Sequence, residues 1–186
     1  MTRLKWGILG AGKIAAVFTD NLLQEGLTVS AVGARDGDRA AAFAAERGIP
    51  TSHGSYQALV EDPNVEAVYV NTTQNFHVEH ALLAIGAGKP VLVEKSFTKT
   101  AAEAQTIADA ARAADVFCME AMWTRFLPTM VTLRQWIAEG KLGEVVAFTS
   151  DHSQFLSTDP EGRRDREWLE TYDPAIFALV ARTYGD

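Results

Sequence analysis

The stretch from Trp6 to Ala15, WGILGAGKIA, constrains the fold more than any other part of the sequence. Its short apolar run breaks at Gly10 and Gly12 and restarts as a helix, which is the pattern of a strand, a tight turn and a helix. The N–H groups that open this helix, at Lys13 and Ile14, would face a ligand, and the helix dipole favours an anion there. The turn is predicted to hold the pyrophosphate of a dinucleotide; a purely structural turn is the alternative.

The composition is that of a globular protein, with 47% hydrophobic and 22% charged residues. A net charge of −7 argues against nucleic acid or an anionic membrane as the main partner. The sequence shows no leader and no membrane-spanning apolar stretch, and its single cysteine fits a reducing compartment. We therefore expect a cytoplasmic protein, and no metal site is predicted.

Strand patterns and helix patterns alternate along the first two thirds of the chain. After the first strand and its turn, strands are predicted at 27–32, 50–52, 65–70, 90–93 and 116–120, and helices at 13–24, 38–47, 55–60, 77–87 and 100–114. Asp38 is expected to cap the second helix, and Thr100 with Glu103 to form a capping box. The fold class is therefore α/β, with a doubly wound parallel sheet over residues 1–121.

Residues 122–186 no longer show the regular alternation of strand and helix patterns. A helix at 128–139 and a strand at 144–150 are predicted to open an α+β domain, of which the sequence holds only a part. An incomplete second sheet leaves apolar surface and a strand edge, to be covered by the last residues or by another subunit. Trp168 and Phe177 belong to a short amphipathic helix predicted in that tail. We expect a homo-oligomer that forms through this second domain.

Arg35 is the first long polar residue after the second predicted strand, which usually ends beside the adenosine ribose. A guanidinium group matches phosphate geometry, so Arg35 predicts NADP. A solvated loop arginine is the alternative, and the neighbouring Asp36 leaves NAD possible.

Two further turns lie at the carboxyl ends of strands, where ligands bind in open α/β sheets. The turn NTTQNFH after the fourth strand supplies Thr72, Asn75 and His77 as candidate cofactor-binding residues. Asn75 or Thr73 can instead cap the next helix, and His77 can simply begin it.

The segment VEKS ends the fifth strand on the same rim. A lysine at position 95 that is desolvated between cofactor and substrate would have a lowered pKa and could relay the hydroxyl proton during hydride removal. Glu94 could pair with Lys95 or position the ribose. A solvated lysine at a strand end is the alternative.

Together, GILGAGKIA, the NFH turn, GKPVLVEK and GKLGE resemble the Gfo/Idh/MocA oxidoreductases, over about residues 3–155. Within that family, the EAMWTRF segment at 120–126 is similar to the branch of dimeric dihydrodiol dehydrogenases and NADP-linked xylose dehydrogenases. The resemblance implies a Rossmann domain and a larger antiparallel-sheet domain, bound NAD(P), and oxidation or reduction of a sugar or cyclic diol. It assigns Lys95 to catalysis and places Trp123 and Arg125 in or beside the substrate pocket. Without it, Trp123 and Phe126 are interpreted as core aromatics.

The sequence departs from the family pattern in two ways, at two proline positions and in its length. Ser96 and Thr73 stand where the family commonly has proline. Family members also run on for nearly as long again, so this chain is expected to be shortened at its C-terminus. Two functions stay open: an NAD(P)-dependent oxidoreductase, or a non-catalytic nucleotide-binding or interaction protein left by truncation.

Overall fold

The computed structural model describes residues 4–150. These residues separate into two units, the first ending at Gln135 and the second beginning at Trp136. The predicted domain boundary after residue 121 stays a prediction. The predicted tail helix with Trp168 and Phe177 lies outside the described residues.

The first unit is built on a six-stranded parallel sheet in the order β3-β2-β1-β4-β5-β6. Chain order reverses between β1 and β4, and ligands of open α/β sheets bind at such a switch point. The predicted doubly wound fold is thus confirmed. The strands are β1 Lys5–Leu9, β2 Thr28–Gly33, β3 Thr51–His53, β4 Ala67–Val70, β5 Val91–Val93 and β6 Cys118–Glu120.

Helices follow the strands, largely where the apolar periodicity predicts them. They are α1 Lys13–Gln24, α2 Gly37–Arg47, α3 Tyr56–Glu61, α4 His77–Gly86, α5 Ala101–Ala113 and α6 Pro128–Ala138. Two 3₁₀ turns, Gln74–Phe76 and Trp123–Phe126, begin the segments that follow β4 and β6.

Side-chain caps explain where several helices begin. Thr100 accepts a hydrogen bond from the Glu103 N–H at 3.2 Å, as the predicted capping box requires. The predicted Asp38 cap is wrong, because Asp36 caps α2 by accepting from the N–H groups of Asp38 and Arg39. An Asx turn at Asp36 satisfies two helix-terminal donors, and α2 consequently begins one residue earlier than predicted.

Both faces of the sheet are covered, which is the usual state of a parallel sheet. Neighbouring residues of β1 point to opposite faces, so Ile8 and Leu9 belong to two separate apolar clusters. Every residue of Ala67–Val70 is buried, as its uninterrupted apolar run predicts. The central strands β1 and β4 therefore give the switch point a rigid base.

The second unit is described from residue 136 to residue 150. The strand predicted at 144–150 is wrong here, since the structure has no strand in that segment and Val146 is 88% exposed. A strand needs a neighbour to satisfy its N–H and C=O groups, and no strand among residues 4–150 pairs with this segment. None of the helices in the described residues is long and apolar enough to cross a membrane.

Candidate functional site

A cleft of about 850 Å³ lies at the carboxyl ends of β1, β2 and β4. The glycine turn after β1 forms part of its lining, and the ends of the other two strands bring polar side chains to it. The lining residues used below are Gly10, Gly12, Arg35, Asp36, Arg39, Tyr56, Asn71, Thr72, Phe76 and His80. The predicted turn and the predicted Arg35 are thus brought together.

The glycine turn is shaped for close approach of a ligand. Gly10 has φ +114°, and its N–H donates to the Gly33 carbonyl at 2.9 Å. The positive φ of Gly10 favours glycine here, and a Cβ at this position would also lie 2.8 Å from Asn71 Oδ1. A Cβ at Gly12 would meet no atom within 4 Å, so this glycine leaves open space on the ligand side.

The start of α1 can receive an anion. Gly12 is its N-cap residue and provides no side-chain acceptor, and Ile14 in the first turn is 43% exposed. The first N–H groups of a helix have no partner within the helix, and they carry the positive end of its dipole. Together with the open space above Gly12, these groups fit a pyrophosphate.

Two arginines stand at the end of β2. The exposed Arg35 has its guanidinium carbon 5.8 Å from the centre of the Phe76 ring, across the cleft lining. Arg39, in the first turn of α2, donates from Nε to the Ala11 carbonyl at 3.0 Å and so lies against the glycine turn. Sequence reasoning missed Arg39, although its spacing of four residues from Arg35 was a usable signal. The Asp36 carboxylate caps α2, which engages an oxygen that NAD recognition would need.

The turn after β4 arranges its candidates differently from the prediction. Thr72 lines the cleft, and its hydroxyl lies 2.8 Å from His80 Nδ1. Burial lowers the pKa of His80, which keeps a neutral ring beside the cleft. Asn75 is exposed in the 3₁₀ turn, and α4 has no side-chain cap, so the capping alternative for Asn75 or Thr73 is wrong.

His77 lies beneath the site and is 1% exposed. Its Nε2 is 2.9 Å from the Thr72 carbonyl, and its Nδ1 is 3.0 Å from the Ser96 carbonyl. His77 is not among the residues that line the cleft. Its ring instead links the turn after β4 to the loop after β5, which carries Lys95.

Two residues that sequence reasoning missed hold the same loop. Gln74 donates from Nε2 to the Thr98 carbonyl at 3.0 Å, and Glu120 accepts from the Phe97 N–H at 3.0 Å. Glu120 ends β6, so the turn after β4 and the end of β6 both hold the backbone that follows Lys95. Gln74 belongs to the NTTQNFH turn, but the sequence alone does not predict that its side chain is buried.

Lys95 lies at the end of β5 on the rim and is exposed, and the Lys95–Ser96 peptide is cis. It forms no ion pair with Glu94 among the described residues. The Glu94 carboxylate instead accepts a hydrogen bond from the buried Tyr69 hydroxyl, and burial with this contact raises the pKa of Tyr69. Lys95 is open to solvent in residues 4–150, so its predicted desolvation stays a prediction.

The turn Trp123–Phe126 follows β6 and is apolar and exposed. Trp123 is 58% and Phe126 is 56% exposed, and Arg125 is exposed as well. The core-aromatic alternative is therefore wrong for both rings in the described structure. Their role at the substrate pocket stays a prediction.

Replacing His77 tests whether its ring holds the two loops. We expect His77→Leu to lower the free energy of unfolding by about 2 kcal/mol, because buried carbonyl groups lose their hydrogen-bond donor. His77→Gln keeps one donor and should lose less. Urea unfolding measures the free energy of unfolding of both variants. Equal stability of the wild type and His77→Leu would contradict the proposal that the His77 ring links the two loops.

Comparison with known proteins shows that this chain is similar to one family of oxidoreductases. The model described as "Oxidoreductase family, NAD-binding Rossmann fold" matches residues 4–122. A trans-1,2-dihydrobenzene-1,2-diol dehydrogenase of Bos taurus is 43% identical, and the match covers 98% of this chain and 56% of that protein. A D-xylose 1-dehydrogenase (NADP(+)) of Hypocrea jecorina is 38% identical, with 81% of this chain and 42% of that protein covered.

A crystal structure supports the same fold assignment. It is a 3-ketoreductase from Actinomadura kijaniata in complex with TDP-benzene and NADP, 32% identical, with a TM-score of 0.67. The match covers 75% of this chain and 44% of that one. The chain spans about half the length of the curated relatives it matches.

Proposed function

Because the chain belongs to the Gfo/Idh/MocA family of NAD-binding oxidoreductases, we propose that it binds NADP(H) and serves hydride transfer to or from a sugar or cyclic diol. The observation that carries this proposal is the glycine turn at the switch point of the sheet. There Gly10 has a positive φ that favours glycine, and Gly12 leaves space above the uncapped start of α1. That arrangement suits a dinucleotide pyrophosphate.

NADP is proposed over NAD because of the charges at the end of β2. Arg35 and Arg39 both line the cleft, and guanidinium groups bind phosphate strongly. Asp36 would be the acceptor for ribose hydroxyls, but one of its two carboxylate oxygens, Oδ1, already caps α2. The NADP named for the xylose dehydrogenase and in the ketoreductase structure supports this choice.

Arg35→Ala should separate the two cofactors. We expect NADPH affinity to fall about 10- to 100-fold, since a charge-assisted contact with the 2′-phosphate is lost, while NADH affinity stays the same. Fluorescence titration measures both. Arg112→Ala, which removes an exposed arginine of α5, is the matched control. Equal losses for NADPH and NADH would contradict the assignment of Arg35.

The chemistry is divided between the cofactor and the chain's own residues. When bound, the nicotinamide accepts or donates the hydride. Lys95 is proposed to take or return the hydroxyl proton at its Nζ, and the loop contacts of His77, Gln74 and Glu120 hold its backbone. Trp123 and Arg125 are proposed to contact the substrate, which the relatives' names suggest is a diol or sugar.

A non-catalytic dinucleotide-binding protein is the second candidate. It is favoured by one observation, that Lys95 is exposed rather than desolvated in the described residues. A turnover assay with NADP⁺ and a panel of sugars and cyclic diols separates the two. Formation of NADPH supports the oxidoreductase, and saturable binding without turnover supports the second candidate.

Association of copies through the second domain is proposed as well. Within residues 136–150, the large apolar side chains are exposed and available for contacts: Trp136, Ile137, Leu142, Val145, Val146 and Phe148. Apolar patches of this kind often mark protein interfaces. Sedimentation analysis of the chain would show dimers or larger species if the proposal holds, and monomers alone would contradict it.

A further inference from the structure

The amide of Asn71 is buried at the end of β4 with no hydrogen-bond partner for either polar atom among the described residues. The residue is 7% exposed, and its backbone N–H donates to the Leu9 carbonyl of the neighbouring strand at 3.1 Å. Buried polar groups nearly always have partners, because leaving one unpaired costs free energy comparable to a lost hydrogen bond. The exception therefore needs an explanation.

The position of Asn71 points to a ligand. Its Oδ1 is 2.8 Å from where a Cβ of Gly10 would lie, so the amide sits directly beneath the glycine turn. Asn71 also contributes to the lining of the cleft. The terminal torsion of an asparagine is soft, so the amide can reorient when a ligand occupies the cleft.

We propose that Asn71 is a pyrophosphate ligand, whose Nδ2 donates to a phosphate oxygen of the dinucleotide held at the glycine turn. The proposal rests on the dinucleotide binding proposed above. An amide nitrogen carries two donors, and a phosphate oxygen is a strong acceptor. The start of α1, which has no side-chain cap, favours the same anion. Binding thus gives the amide a partner that residues 4–150 do not provide.

The same fold offers a matched control. Thr19 lies in α1, is fully buried, and its Oγ1 also has no hydrogen-bond partner among the described residues. Unlike Asn71, it does not line the cleft. An effect that comes only from removing a buried orphaned group should appear in Thr19→Val as well as in Asn71→Leu.

The experiment measures unfolding midpoints in urea without ligand, and NADPH affinity by fluorescence titration. We expect Asn71→Leu and the smaller Asn71→Ala to keep or raise the midpoint and to weaken NADPH binding about 10- to 100-fold. Asn71→Asp should weaken it more than Asn71→Leu, because a carboxylate repels phosphate. Thr19→Val should leave NADPH affinity unchanged.

A second ligand localises the contact. Adenosine 2′-monophosphate carries the 2′-phosphate but no pyrophosphate, so its affinity should be the same for the wild type and the Asn71 variants. NADPH affinity that is unchanged in Asn71→Leu and Asn71→Ala would overturn the proposal, as would normal binding by Asn71→Asp. A wild type that fails to bind NADPH would instead overturn the proposed function.

Discussion

Gly10→Ala is expected to lower the free energy of unfolding by about 3 kcal/mol and to abolish measurable NADPH binding. The backbone at Gly10 has φ +114°, which an L-residue adopts only with strain. The added Cβ would also lie 2.8 Å from Asn71 Oδ1, so the Asn71 amide must move away from the turn. The strain displaces the N–H groups that are proposed to bind the pyrophosphate, and the added Cβ displaces the amide proposed to bind it.

Gly12→Ala is the control that separates an effect on stability from an effect on NADPH binding. Gly12 has φ −102°, and a Cβ there meets no atom within 4 Å, so stability should change by less than about 0.5 kcal/mol. NADPH affinity should nevertheless fall by about tenfold or more, because the Cβ enters the space where the pyrophosphate approaches. Unfolding in urea and fluorescence titration measure the pair. Unchanged NADPH affinity in Gly12→Ala would contradict a pyrophosphate at this turn.

Lys95→Ala should reduce hydride transfer about 10²- to 10⁴-fold, the range for losing a general acid or base. NADPH affinity should change much less, because Lys95 is exposed on the rim and contributes none of the cleft lining around the glycine turn. Single-turnover kinetics with NADP⁺ and a substrate found in the panel assay separates the two effects.

Lys99→Ala is the matched control for Lys95. Lys99 lies four residues further along the same loop, and its ammonium is 3.6 Å from Glu103 in an exposed pair. Its loss should leave hydride transfer within about twofold, since an exposed pair contributes little stability. If Lys95→Ala turns over at the rate of Lys99→Ala, the proton transfer belongs to another group.

Much of the first unit was predictable because its signals are local. The glycine turn, the apolar run of β4 and the capping residue Thr100 each depend on neighbours a few residues away. Arg35 was predicted for the same reason, since only its distance from the end of β2 matters. These features need no knowledge of what packs across the sheet.

The contacts missed by sequence reasoning join distant segments. His77 bonds to carbonyls of the loop after β5, and Glu120 reaches the same loop from β6. Neither contact has a spacing rule, because each depends on how three strands lie side by side. The orphaned amide of Asn71 is likewise visible only when the partners of every buried atom are known.

The strand prediction for residues 144–150 was wrong because it relied on a local pattern alone. The apolar pattern of this segment is that of a strand, but no strand among the described residues pairs with it. A pattern reports the side chains that a strand would carry, whereas the strand itself forms only against a neighbour.

The most direct test is a fluorescence titration of the 186-residue chain with NADPH and, separately, with NADH. We expect saturable binding of both, with NADPH bound at least tenfold more tightly, because Arg35 and Arg39 are proposed to bind its 2′-phosphate. Equal affinities would contradict the proposal that Arg35 and Arg39 select NADP, but would agree with pyrophosphate binding at the glycine turn. Binding of neither cofactor would contradict the central claim that this chain forms a working dinucleotide site.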